Sequence, residues 1–366
     1  MVDEADRMVE AGHFKHLDLI LDSLYLNQNA KRQTFVFSAT MINDNLQKTD
    51  GSGLVFGKLL DKVKFRDSHP VYVNLAPKEV TARGVLEATI DVLDAKEKDA
   101  VLYNFLVRYS GKSIVFVNSI DAIRRLVPIF THLRLNVFPL HSEMQQKQRI
   151  KNLERFTGSD NAILIASDVA SRGLDIPQVN HVIHYHLPRQ ADIYVHRAGR
   201  TGRGKERGVS IVLTTPSDHS QLKLILHKLK KQPLQMFPLD RSLMAMLNKR
   251  MVIAKEIDKV IHSSKKAEVK KNWFIKNAEE CDLIYEDSEE SGAEEESSRT
   301  KTKLGGLKQK LADLMAVSLI PKNHSVKYLT AEVVKNSKLE CVNNMPTLTK
   351  KFAIDDLDTA TSNLDS

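Results

Sequence analysis

The sequence predicts an α/β protein built on parallel sheets. Three observations predict it. Short runs rich in Val, Ile and Leu recur between residues 85 and 215, most gaps between them carry apolar residues at helical spacing, and basic, glycine-containing loops interrupt the alternation. Strands that are apolar at nearly every position are those covered on both faces, as in a parallel sheet between two layers of helices.

Taken in order, residues 1–25 read as the end of a strand running into a helix. Met8, Phe14, Leu17, Ile20, Leu21 and Leu24 suit one buried helical face. The polar stretch Asn27 to Gln33 leads to a strand at Thr34 to Phe37. Gly51, Gly53 and Gly57 suggest a loop and a short helix before a strand at Val71 to Leu75. Residues 77–84 read as an interdomain linker. Strands are then expected at Leu86 to Val92, Ser113 to Val117, Asn136 to Pro139, Ala162 to Ala166, His181 to Tyr185 and Val209 to Leu213. Ser119 is placed to cap a helix carrying Ile120, Ile123, Leu126, Val127 and Phe130. A second helix, Gln145 to Phe156, would bury Ile150, Leu153 and Phe156 and end at Gly158. Residues 85–238 thus form a complete α/β domain.

Residues 239–285 read as a helical extension with a basic face of Lys249, Arg250, Lys255, Lys259, Lys265, Lys266, Lys270 and Lys271, and with Trp273 and Phe274 available to pack it. The serine-rich acidic run Glu286 to Glu296 opens a tail, 286–366, expected to be mostly disordered, with one helix at Leu304 to Val317.

Composition narrows the class. The 366 residues are 42% hydrophobic, enough for two cores, and no apolar run approaches a membrane span. Cys281 and Cys341 make no disulfide framework or metal-ligand spacing, pointing to a reducing compartment. A net charge of +8 favours a polyanionic partner.

The chemistry concentrates in Ala166-Ser167-Asp168-Val169-Ala170-Ser171-Arg172-Gly173-Leu174-Asp175 and in His196-Arg197-Ala198-Gly199-Arg200-Thr201-Gly202-Arg203. Guanidinium groups stay charged and fork onto phosphate oxygens, so arginines beside glycines suggest a phosphate-handling surface. Asp3-Glu4-Ala5-Asp6 and Ser38-Ala39-Thr40 precede them in the chain. This ordered set resembles the DEAD-box ATP-dependent RNA helicases over about residues 1 to 238.

The resemblance implies two RecA-like domains. Residues 1–76 would be the last part of the first, and 85–238 the whole of the second. It implies ATP and Mg2+ as cofactors. Asp3 would position the metal through water and Glu4 would activate the hydrolytic water. Asp6, Ser38, Thr40, His196 and Arg197 would couple hydrolysis to the other domain. Asp175 would bind the ribose, and Arg200 and Arg203 would face the γ-phosphate, where a guanidinium stabilises charge spread over the equatorial oxygens. RNA would be held by its backbone, without strong sequence preference, at Asn118, Arg149, Ser167 and Gly173. Without the resemblance, Asn118 reads equally as a turn residue, Arg149 as a solvated helix face, and the acids at 3–6 as helix caps.

Other patterns point elsewhere. Gly199 to Lys205 has Glu206 where a P-loop needs a hydroxyl, and a strand follows it. Ser110 to Ser113 and Gly51 to Lys58 also fail as nucleotide loops. His181, His184 and His186 suggest a metal, but no acid or cysteine completes the set. His186 stands where the family commonly has aspartate, and Ser171 where alanine precedes Arg-Gly.

The family's adenine-reading glutamine motif and P-loop would lie upstream of Asp3, so the sequence is expected to be an N-terminally incomplete helicase that hydrolyses ATP negligibly as it stands. The extension and Asp6 to Phe14 are similar to a nucleolar subgroup acting in large ribosomal subunit assembly. That implies a nuclear, nucleolar protein (a cytoplasmic one being the alternative), monomeric, free of membranes and associated with pre-ribosomal particles. The rival reading is a non-catalytic RNA-binding or assembly module.

Overall fold

The computed structural model describes residues 1, 3, 5, 17–26, 33–38, 63, 71, 73, 84–168, 179–202, 207–239, 241–280 and 290–317. The chain divides into two compact units, Met1–Val80 and Thr81–Ser366.

In the first unit one helix is described, α1 (Leu17–Leu26). Leu21 is buried, whereas Ile20 and Leu24, expected on the same buried face, are 56% and 47% exposed. Leu19, Ile20, Leu21 and Leu24 together span too wide an arc for one contact face, and of these four Leu21 alone is buried. The strand expected at Thr34 to Phe37 is reduced to a bridge at Val36. Ala5 N–H donates to the Phe37 carbonyl at 3.0 Å, which joins this segment to the acidic motif. Val71 and Val73, the described residues of the strand expected at Val71 to Leu75, are exposed and not in a strand. Of 41–70, only Val63 is described; Met8 and Phe14 lie outside the described residues.

The second unit is a seven-stranded sheet in the order β3-β4-β2-β5-β6-β1-β7. Its strands are β1 (Val85–Asp91), β2 (Ser113–Val117), β3 (Val137–Leu140), β4 (Ile163–Ser167), β5 (His181–His184), β6 (Gly208–Thr214) and the short β7 (Gln235–Met236). Every pairing is parallel. The helices are α2 (Ala95–Arg108), α3 (Ile120–His132), α4 (Gln146–Thr157), α5 (Ala191–Ala198), α6 (His219–Lys228), α7 (Met244–Glu280) and α8 (Glu290–Ala316). This is the α/β architecture that the alternation predicts.

Two-residue alternation sorts the strand side chains between layers. Val115, Val117, Ile163, Ile165 and Ile183 meet α2, α3, α7 and α8. Ile114, Phe116, Leu164, Ala166 and Val182 meet Phe156 of α4, while Val212 meets Tyr194 of α5 and Leu222 and Ile225 of α6. Ser119 caps α3 as expected, its Oγ accepting from Ala122 N–H at 3.3 Å. Ile150 is 47% exposed, contrary to expectation. At 100° per residue it stands about 120° round α4 from the buried Phe156. Gly158 does end α4, but in the right-handed region at φ −77°, where any residue would serve.

The C-terminal helices belong to this core. Leu247, Met251, Ala254 and Ile257 of α7 and Leu307 and Leu311 of α8 are buried in the same cluster as the sheet. Two members of the expected basic face are therefore reassigned. Arg250 is 3% exposed and donates through Nη2 to the carbonyls of Leu314 (2.7 Å) and Val317 (2.5 Å), satisfying the carboxyl end of α8. Lys255 pairs with the buried Asp99 at 2.6 Å. The disorder expected for Glu286 to Glu296 is also corrected for residues 290–296, which begin α8. Glutamates suit a helix N-terminus because its dipole favours negative charge there. Trp273 and Phe274 lie where side chains are not described.

Candidate functional site

Because the strands are parallel, their carboxyl ends share one edge, and their pairing decides which residues meet there. Val117 pairs with Ser167 and Phe116 with His184. The next residues out, Asn118, Asp168 and His186, therefore converge. The chain leaving β2 turns towards β3 and the chain leaving β5 towards β6. A crevice opens between connections that diverge in this way, and ligands of open α/β sheets bind in such places.

Arg197 of α5 fills the base of this edge and is 2% exposed. Its Nε and Nη2 donate to the two carboxylate oxygens of Asp168 at 2.6 and 2.7 Å. Its Nη1 donates to the His186 carbonyl at 2.7 Å, and Nη2 also to Asn118 Oδ1 at 2.8 Å. The guanidinium carbon sits 5.2 Å from the Phe116 ring centre. Arg197, expected as a contact to the other domain, has these four acceptors within the second unit. Asp168 and Asn118 stand at adjacent strand ends and supply its acceptors, so it positions the residues around it.

Asn118 is exposed yet held at three points. Besides accepting from Arg197, it donates through Nδ2 to the Leu187 carbonyl at 2.9 Å and through its backbone N–H to His186 Nδ1 at 3.1 Å. Ser167 ends β4 half-buried. Arg149, in the first turn of α4, donates to Gln146 Oε1 at 3.2 Å. Asn118 and Ser167 thus share one strand edge, while Arg149 lies on α4.

The helix carrying Arg197 is itself anchored. The Tyr194 hydroxyl donates to Glu87 Oε1 at 2.7 Å, and its ring stacks on His184 at 5.0 Å. His196 and Arg200 are partly exposed. Arg200 follows α5 in a turn fixed by Thr201, whose hydroxyl donates to the Val179 carbonyl at 2.5 Å. Gly202 has φ +66°, and a Cβ there would lie 2.4 Å from Val85 Cγ2, so glycine is required.

In the first unit Asp3 is exposed and Ala5 is buried. The Ser38 Oγ is buried without a hydrogen-bond partner among the described residues. The Ala5–Phe37 bond brings the two motifs side by side. Glu4, Asp6, Thr40, Gly173, Asp175 and Arg203 lie outside the described residues. Sequence reading gave no role to Asp168 or His186. An acid in Ser167-Asp168, so near the arginine motif, was the available signal.

The three histidines are ordinary members of this frame. His181 Nδ1 bonds with Ser113 Oγ at 3.0 Å and His184 Nε2 with Ser210 Oγ at 3.1 Å. Among the described residues no group of three His, Cys, Asp or Glu is placed to hold a metal. Burial lowers His181 to about 4, and burial, then the Lys98, Arg197 and Arg125 charges, lowers His186 to about 4. Burial and Arg197 hold His184 well below its ordinary value. A histidine with a depressed folded pKa binds its proton first in the unfolded state. Its stabilisation is therefore full above pH 6.5 and declines as pH falls towards the folded value. We expect the unfolding free energy from urea denaturation to fall between pH 6.5 and 4, by on the order of 1.4 kcal/mol per pH unit for each fully titrating histidine. A flat profile over that range would contradict this.

A parallel sheet with an arginine-bearing helix at its strand ends defines an α/β domain with a basic strand-end edge. The description "Helicase conserved C-terminal domain" matches residues 97–205, and "DEAD/DEAH box helicase" matches residues 1–49. The ATP-dependent RNA helicase ddx24 of Dictyostelium discoideum is 37% identical over 91% of this chain and 44% of its own length. The ATP-dependent RNA helicase mak5 of Schizosaccharomyces pombe is 36% identical over 91% of this chain and 53% of its own. The chain thus spans about half the length of the curated relatives it matches. Among solved structures, S. cerevisiae Dbp5 bound to RNA and ADP BeF3 aligns with a TM-score of 0.53 at 24% identity, covering 68% of this chain and 61% of that one. That likeness is one of fold. The chain belongs to the DEAD-box helicase family.

Proposed function

We propose that this chain is the RNA-gripping and arginine-bearing part of an ATP-dependent RNA helicase. One observation carries the reading: Arg197 ties Asn118, beside Ser167 at the strand ends, to α5, the helix that Arg200 follows in the next turn. Strand displacement at the RNA side and charge at the nucleotide side are then linked through one stiff element. When bound, ATP and Mg2+ supply the γ-phosphate to be transferred to water and the charge that holds it. Asp3 would hold the metal through water, Glu4 would activate the attacking water, and Arg200 and Arg203 would stabilise the developing charge. Asp175 would hold the ribose, and Asp6, Ser38, Thr40 and His196 would transmit the change. Similarity of Asp6 to Phe14 and of the helical extension to a nucleolar subgroup supports a substrate in pre-ribosomal particles, a nucleolar location and action as a monomer.

Backbone recognition has a measurable signature. Fluorescence anisotropy with two unrelated single-stranded RNAs is expected to give similar affinities that fall with salt. Arg149→Ala should weaken both equally and reduce the salt slope by about one. Binding to one sequence only, or no binding, would overturn the reading.

A further inference from the structure

The residue at the centre of the strand-end frame is His186. A backbone N–H can only donate, so the 3.1 Å contact from Asn118 N–H makes Nδ1 an acceptor and places the imidazole proton on Nε2. The same residue's carbonyl accepts from Arg197, which in turn holds the Asn118 side chain. His186 therefore touches Asn118 by both routes, directly and through the guanidinium.

The charges around it explain why a neutral acceptor suits this place. Three cations face it: Lys98 from α2, Arg125 from α3 and Arg197 from α5. Each already has a carboxylate partner, Lys98 with Asp218 at 2.8 Å, Arg125 with Asp99 at 2.7 Å (shared with Lys255) and Arg197 with Asp168 at 2.6 Å. A carboxylate at 186 would compete for cations that are already paired, drawing one of them from its partner. A protonated imidazole would lose the acceptor and add a fourth cation.

We propose that His186 is a positioning residue for RNA binding, a neutral hydrogen-bond acceptor that fixes the Asn118 main chain at the strand-end edge; this rests on the RNA-binding reading given above. Its role is geometric, and the amide Oδ1 of asparagine lies near the place of imidazole Nδ1. Asparagine should therefore substitute for it, whereas glutamine, which mimics Nε2, should not.

The test uses the whole chain and its His186→Asn, His186→Gln and His186→Ala variants. Hydrogen exchange at the Asn118 amide reports the contact itself, and anisotropy with a single-stranded RNA reports function. Protection is expected to persist in His186→Asn and to vanish in the other two. RNA affinity should stay near the unsubstituted value in His186→Asn and drop about fivefold in His186→Gln and His186→Ala, the equivalent of one hydrogen bond. In an Asn118→Ala background, His186→Ala should add little further loss. Affinity that ignores these substitutions, or that tracks thermal stability instead of Asn118 protection, would overturn the proposal while leaving the RNA reading intact. Failure of the unsubstituted chain to bind RNA would overturn both.

Discussion

Arg197→Ala is expected to destabilise the second unit by about 3 kcal/mol and to abolish RNA binding at the strand edge. Removing the guanidinium leaves the Asp168 carboxylate, the Asn118 amide oxygen and the His186 carbonyl without their donor. Breaking a buried pair costs about 3–5 kcal/mol because one charge stays behind. Asp168 is 21% exposed, so water relieves part of that penalty and the low end applies. Lysine should not rescue. It is a point charge and cannot serve four acceptors from one planar fork. Urea denaturation of the three proteins measures this, and a loss below about 1 kcal/mol for Arg197→Ala would show that the frame is not held by this residue.

Asp99→Asn is the second large effect, with a cost again of about 3–5 kcal/mol. Asp99 is 1% exposed. Its oxygens accept from Arg125 at 2.7 and 3.0 Å and from the Tyr185 hydroxyl at 2.7 Å, and Lys255 pairs with it at 2.6 Å. Those contacts join α2, α3, the end of β5 and α7. Burial pushes the Asp99 carboxyl up, but the hydrogen bonds and charge of Arg125, then those of Lys255 and Tyr185, outweigh it and hold the pKa below 3.8. Its stabilisation is thus complete above the unfolded value and is lost as pH falls through the lower folded one. The gap between the parent and Asp99→Asn should be constant near neutrality and close only in strong acid. Lys255→Ala should cost about 1 kcal/mol, since that amine is one-third exposed and Arg125 remains on the acid. A gap that closes already near pH 6 would mean that another group carries the effect.

What could be read from the sequence follows from where its signals are local. The strand-like runs at Ser113 to Val117 and His181 to Tyr185 are largely apolar and buried because helices cover both faces, and they lie where expected. Ser119 announced its helix because a cap acts within three residues. Long-range pairings left no such trace. Nothing near Lys255 marks it as the partner of Asp99, and Arg250 looked like one more solvated cation although it closes the end of α8. The arginine motif was legible as chemistry but not as geometry. Arg197 and Arg200 are three residues apart, yet the first is enclosed by strand ends while the second sits partly exposed in the turn beyond the helix. In the first unit, of the strand expected at Val71 to Leu75, the described Val71 and Val73 are not in a strand.

The central claim is that the strand-end frame delivers Arg200 to a nucleotide while the same frame grips RNA. RNA-stimulated ATP hydrolysis tests it most directly, measured on a chimaera that places the N-terminal portion of a relative's first domain ahead of Met1, with and without Arg200→Ala. The account expects the chimaera to hydrolyse ATP faster with RNA, and Arg200→Ala to lower that rate by about a thousandfold while RNA affinity is retained. Hydrolysis that proceeds unchanged without the Arg200 guanidinium would contradict it.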